Sequence, residues 1–255
     1  MLSLLAVLLL MTGCEGAFDW VYDEPQTILA TQGQVYIDAS DWSKWYYMDL
    51  PSVRDLTEAD PDYDVAQSIQ EYSIPMTATG EQTTTHPTEQ SGQYMYWFDC
   101  FGLGVTNNEF RHFTPTATQE EPDSWTFAIH RNNVRTNPLT VNGVWESQLT
   151  DIEAVTATLY STATFTPDEW SENEVWDDQS TMLSCLVPSQ GINVNKVLSS
   201  WLTMEIPPMP PAFSHNNHVF IISLKDGTFA ALQLADYLSP TGTKCCMTIK
   251  YKYPL

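Results

Sequence analysis

The sequence is short of positive charge: ten Lys and Arg stand against 32 Asp and Glu, a formal net charge of −22. A surface this acidic repels phosphodiester backbones and anionic lipid headgroups alike, which excludes a nucleic-acid function. Long apolar runs are also missing. The one clear run, Leu2–Leu10, has nine residues, whereas a bilayer span needs about 20. None of the five cysteines forms a CxxC, and adjacent Cys245 and Cys246 are poorly placed to share one tetrahedral zinc ion. GxSxG, HExxH, P-loop and GxGxxG-helix patterns are absent as well. Carboxylate pairs such as Asp168-Glu169 and Asp177-Asp178 are what a chain this acidic places in solvated loops. The expectation is a protein that is not an enzyme.

What is present begins with that short apolar run, which reads as the core of a signal peptide, although no Lys or Arg precedes Leu2. Leu10-Met11-Thr12-Gly13-Cys14 follows and resembles the lipobox at which bacterial lipoprotein signals are cut and acylated. The resemblance implies a signal peptide over 1–13, lipid on Cys14 and a lipidated tether over 14–33. It also implies an outer-membrane address, at the cell surface or released from it. Each buried acyl CH₂ contributes about 0.8 kcal/mol, so two or three chains hold a protein at a membrane without a spanning helix. An oxidising exterior allows one or two disulfides, for example of Cys100 or Cys185 with one of Cys245 and Cys246, with no pairing assigned.

Aromatic, β-branched and Thr residues are frequent and turn residues recur, so the remaining chain, 34–255, is expected to be all-β. Strands are predicted at Gln34–Asp38, Trp45–Leu50, Gln93–Phe98, Trp125–His130, Val155–Thr164, Val219–Leu224, Thr228–Leu234 and Cys246–Tyr253. Asp226-Gly227 supplies the turn of the clearest hairpin. One short helix is predicted near 193–203, where Val194, Val197, Leu198, Trp201 and Leu202 form an apolar stripe at spacings of three and four. The Pro-rich run Met204–Pro211 ends it. Thr57–Gln93 reads as long loops or irregular strands.

Among residues that carry chemistry, His215 and His218 are three apart and would face opposite ways along a strand, a poor metal pair. His130, at a strand end, reads as structural. Met182 and Met209 lie outside any apolar stripe, the latter framed by prolines. Each is either a gap-filling side chain or a soft thioether suited to haem iron, with Met204, His215 and His218 as competing ligands nearby. A different reading takes the tryptophans Trp42, Trp45, Trp97 and Trp176 as stacking platforms of a glycan-binding or adhesion module.

Three segments, in order, resemble the HmuY family of haem-binding lipoproteins. They are Val35-Tyr36-Ile37-Asp38-Ala39-Ser40 with Trp45–Leu50, then Trp125–Arg131 with Val134-Arg135-Thr136-Asn137, and finally Met209-Pro210-Pro211 through Lys225-Asp226-Gly227-Thr228 to Ile249–Tyr253. Thr126 stands where the family usually has Asp. The resemblance implies an all-β domain over 34–255 whose projecting strand pairs clamp haem b between two axial side chains, here Met182 and Met209. It implies a haemophore that takes haem from host haemoproteins and passes it to a TonB-dependent outer-membrane haem receptor. Lys196 is the nearest cation for the haem propionates.

Overall fold

The structure is a computed structural model describing residues 33–75, 82–83, 90, 92–99, 104–113, 117–179, 186–206 and 210–255, with backbone alone at 82–83, 96–99, 104–113 and 186. Cys14, Cys100, Cys185, Met182 and Met209 lie outside the described residues, as do the predicted signal peptide and most of the tether.

The first half of the chain forms β1 (Gln34–Asp38), β2 (Lys44–Met48), α1 (Leu50–Ala59), β3 (Gln70–Ser73), β4 (Gln82–Thr83), β5 (Gln93–Asp99), β6 (Gly104–Phe113), β7 (Phe127–His130), β8 (Asn133–Thr136) and β9 (Val141–Glu146). The second forms α2 (Ala157–Tyr160), β10 (Glu169–Trp176), β11 (Leu186–Val194), α3 (Lys196–Ser199), β12 (Leu202–Glu205), β13 (Ala212–His215), β14 (Val219–Leu224), β15 (Phe229–Leu238) and β16 (Lys244–Lys252). The sheets run β1-β16-β15-β14-β9, β3-β2-β7-β8, β10-β11-β5-β6-β4 and the isolated pair β12-β13. The fold is all-β, as expected.

The alternation of side chains along β2 explains the layering. Tyr46 and Met48 join Val35, Ile37, Phe127, Ile129, Phe220, Leu232 and Ile249 in the main core, between the β1-to-β9 sheet and the β2 sheet. Trp45 and Tyr47 point the other way, to Trp125, Val175 and Val194 beneath the β10–β11 sheet. The β2 sheet is thus covered on both faces, and every residue of β7 and β8 is buried. β14 is likewise buried throughout, because its second face, Val219 and Ile221, meets Ile152 and Tyr160. The β14–β15 turn closes as expected: Gly227 has φ +90°, and the Asp226 carboxylate accepts the Thr228 amide at 2.9 Å.

Two expected elements are corrected. Val155–Thr164 is not a strand; it carries the single helical turn α2 between loops, with Leu159 and Ala163 against the outer cluster. The helix expected over 193–203 is one turn, α3. Val194 belongs to β11, paired with Glu169, and Leu202 to β12, paired with His215. The apolar stripe is real, with Val194, Leu198, Trp201 and Leu202 all fully buried, but sheet pairing satisfies most of its backbone. The longest helix, α1, was not expected: Leu50, Val53 and Thr57 form its buried face and Pro51 sits in its first turn.

The disulfide that the sequence allows to Cys245 or Cys246 does not form; both are buried free thiols. They sit on β16 in the main core sheet. Burial pushes the Cys245 thiol up to about 11, which makes it inert.

Candidate functional site

An open groove of about 400 Å³ lies between the edge strand β10 and the β12–β13 pair, at the lower end of the roughly 300–1,000 Å³ usual for small-molecule sites. Asn173, Glu174 and Trp176 of β10 form one wall, and Leu202, Thr203, Met204 and Ile206 the other. The floor comes from Asn132 and Asn133 in and after the β7–β8 turn, and from Lys196, Ser199 and Ser200 in and after α3. Trp176, Leu202, Met204 and Ile206 make one part apolar; amides, hydroxyls and a charged pair line the rest.

The floor is fixed by short polar ties. Asn195 caps α3, its Oδ1 accepting the Leu198 amide at 2.9 Å, while its Nδ2 donates to the Thr166 carbonyl and to Asp168, each at 3.0 Å. The Val134 amide donates to Ser199 Oγ at 2.9 Å, and Asn133 Nδ2 to the Glu174 carbonyl at 3.0 Å. The second tie joins floor to wall.

The Trp176 wall is propped from behind. Arg131 adopts a left-handed φ of +56° in the β7–β8 turn, and its guanidinium lies 4.1 Å from the centre of the Trp42 ring. Trp42 in turn stacks on Trp176, with centroids 6.4 Å apart and planes 24° from parallel. The Trp176 carbonyl faces His130 Nε2 at 2.7 Å, and His130 Nδ1 faces the Lys44 carbonyl at 2.9 Å. Two carbonyls favour a doubly protonated ring, but complete burial outweighs them and pushes the His130 pKa down to about 4. His130 is structural, as expected. One residue beyond Trp176, the Asp177 carboxylate is buried with Gln93 Nε2 donating to its Oδ2 at 2.9 Å. Burial and the neighbouring Asp178 push its pKa up to about 7.

The residues singled out in the sequence separate here. Met204 lines the groove. His215 Nε2 faces the Leu234 carbonyl at 2.7 Å and His218 Nδ1 faces Glu146 at 2.8 Å, so both rings are engaged away from the lining. Trp45 is fully buried and offers no platform. Trp42 and Trp176 meet each other, and the Trp97 side chain lies outside the described residues. Lys196 does reach the groove, but its ammonium is held by Glu169 at 3.0 Å and Glu174 at 3.6 Å. Asn132, Asn133, Ser199 and Ser200 escaped sequence reasoning, because such residues in turns carry no signal of their own. No cluster of three His, Cys, Asp or Glu side chains able to hold a metal ion occurs among the described residues.

Comparison with known proteins adds the following. The family model of the HmuY protein matches residues 41–251. A candidate lipoprotein of Bacteroides fragilis is 26% identical, covers 87% of this chain and 89% of its own, and superposes with a TM-score of 0.58. A candidate HmuY-like haem-binding protein of Bacteroides vulgatus is 23% identical over 91% of this chain and 99% of its own, TM-score 0.57. The apo HmuY analogue of Tannerella forsythia is 17% identical over 87% and 95%, TM-score 0.59. No curated protein sequence matches. With the family model spanning most of the chain and these structures sharing its fold, the chain belongs to the HmuY family.

Proposed function

We propose that this protein binds haem as cargo in the groove between β10 and β12, through axial thioether ligands, and hands it on without a catalytic step. The observation that carries the reading is the groove itself, in a chain of the HmuY family. The apolar part of the groove carries one thioether on its wall, Met204. Its two walls run on in sequence toward the other two methionines, with Met209 three residues beyond Ile206 and Met182 six beyond Trp176. The relative from Bacteroides vulgatus is described as haem-binding, which supports the same ligand class.

The axial pair proposed is Met182 and Met209. Neutral, polarisable sulfurs stabilise the lower charge of ferrous iron over ferric, so reduced haem b should be held more tightly than oxidised haem. Lipid on Cys14 would keep the domain beside an outer-membrane haem receptor of the TonB-dependent type, with host haemoproteins as donors.

The test is a spectroscopic titration of the detergent-solubilised full chain with haem, under dithionite and in air, repeated with Met182→Ala, Met209→Ala and Met204→Ala. A low-spin six-coordinate ferrous spectrum, lost in the first two variants and kept in the third, is expected. A flat response to haem sinks the function. Loss in Met204→Ala alone would sink the ligand assignment but keep the site.

A further inference from the structure

The charge of the groove is set at one corner. Lys196 is the single cation among the described lining residues, and hydrogen bonding to Glu169 raises its pKa, keeping it charged across the neutral range. With Glu169 and Glu174 both within 4.0 Å, this corner holds one positive and two negative charges. Arg131, beside the floor in the β7–β8 turn, is spent on the Trp42 ring and on the Ser40 carbonyl, to which its Nη1 donates at 2.8 Å. Arg135 is likewise held, by Glu121 at 2.7 Å. The other polar groups in the lining are neutral amides and hydroxyls.

We infer that the groove recognises the apolar ring of its cargo and not its carboxylates, and that Glu169 and Glu174 set how loosely that cargo is held by turning the propionates away. The inference rests on the haem reading above. A propionate approaching Lys196 meets an ammonium already beside two carboxylates, whose repulsion offsets its attraction. Exposed ion pairs of this kind are individually weak, yet the one excess negative charge remains wherever the pairs rearrange. For a carrier that must release its cargo, a mildly repulsive rim has a use: it keeps the carboxylate edge outward and the grip reversible.

Two glutamates neutralised at about 8 Å from a propionate, in a dielectric near that of water, change haem affinity about fivefold. The experiment compares the full-length chain with a Glu169→Gln/Glu174→Gln variant, titrating each with ferrous haem and with its uncharged dimethyl ester in the same detergent. Partition of either ligand into micelles then cancels in the variant-to-parent ratio. Both side chains are well exposed, so the substitutions leave the core intact. Haem should bind the variant about fivefold more tightly, while the ester changes less than twofold. Haem affinity that is unchanged or weakened overturns the inference. Equal gains for haem and ester overturn it too, because charge would then not be the cause. If neither ligand gives a low-spin spectrum with either protein, the haem reading itself fails, an outcome distinct from the other three.

Discussion

Replacing Asp177 by Asn should abolish a pH dependence of stability that the native protein carries through neutrality. Asp177 is 2% exposed. Only one of its oxygens has a partner, Gln93 Nε2 at 2.9 Å, and Oδ1 has none. Burial, reinforced by the charge of Asp178, raises its pKa from 3.8 to about 7. A raised folded-state pKa means that the folded protein holds the proton more tightly than the unfolded chain. The associated stability is therefore complete below about pH 4, falls by about 1.4 kcal/mol per pH unit, and levels off above about pH 7, a total of about 4 kcal/mol. Asn presents the same acceptor to Gln93 without a charge, so Asp177→Asn should be the more stable protein at about pH 8, by about 2 kcal/mol or more once imperfect packing of the amide is allowed for. The two should converge toward about pH 5. His130 acts in the opposite sense: its lowered pKa gives stability that is present above about pH 6.5 and lost as pH falls toward about 4. That contribution is common to both proteins and cancels in their difference. Urea unfolding of both, from about pH 5 to about pH 8, reads the difference directly. Parallel stability profiles, or a native protein more stable than the variant at the alkaline end, would refute the reasoning.

Gly143→Ala should destabilise by about 3 kcal/mol, since a Cβ there would stand 2.6 Å from the backbone C and O of Thr166, across the bridge that Thr166 makes with Val144. A melting temperature unchanged by the substitution would count against it. Asn195→Ala should cost about 2 kcal/mol in urea unfolding, from the lost α3 cap and the loss of one donor each to Asp168 and the Thr166 carbonyl, which keep Thr136 and the Val144 amide. Asn195→Asp should do no better, because it keeps the cap but sets a carboxylate against Asp168 and the Thr166 carbonyl.

Where pattern and tertiary context agree, the sequence is a good guide. β1 and β14 fall on their predicted residues because each alternates or runs apolar between clear turn signals. The stretch around α3 misled for a physical reason. A 3.6-residue spacing of apolar residues also arises when two strands meet at a single turn and each contributes its inward face, as Val194, Leu198 and Leu202 do. α1 was hidden because Leu50 reads as the end of the preceding strand, which leaves only Val53 and the polar Thr57 of its buried face. Part of the site was legible: Met204, Lys196, Trp42 and Trp176 all stood out by residue type. The glutamate hold on Lys196 was not, because Glu169 and Lys196 are brought together by the β10–β11 pairing of Glu169 with Val194. Contacts made by sheet register leave no local trace.

That same dependence on distant partners governs when the core can exist at all. β16 lies between β1 and β15, so the first described strand finds its sheet neighbour, the only one among the described residues, in the last, Gln34 meeting Lys250. A nascent chain cannot join β1 to its main sheet until β16 arrives, and that edge stays open for the duration. Loss of β16 would leave the facing edges of β1 and β15 bare, an invitation to pair with another chain.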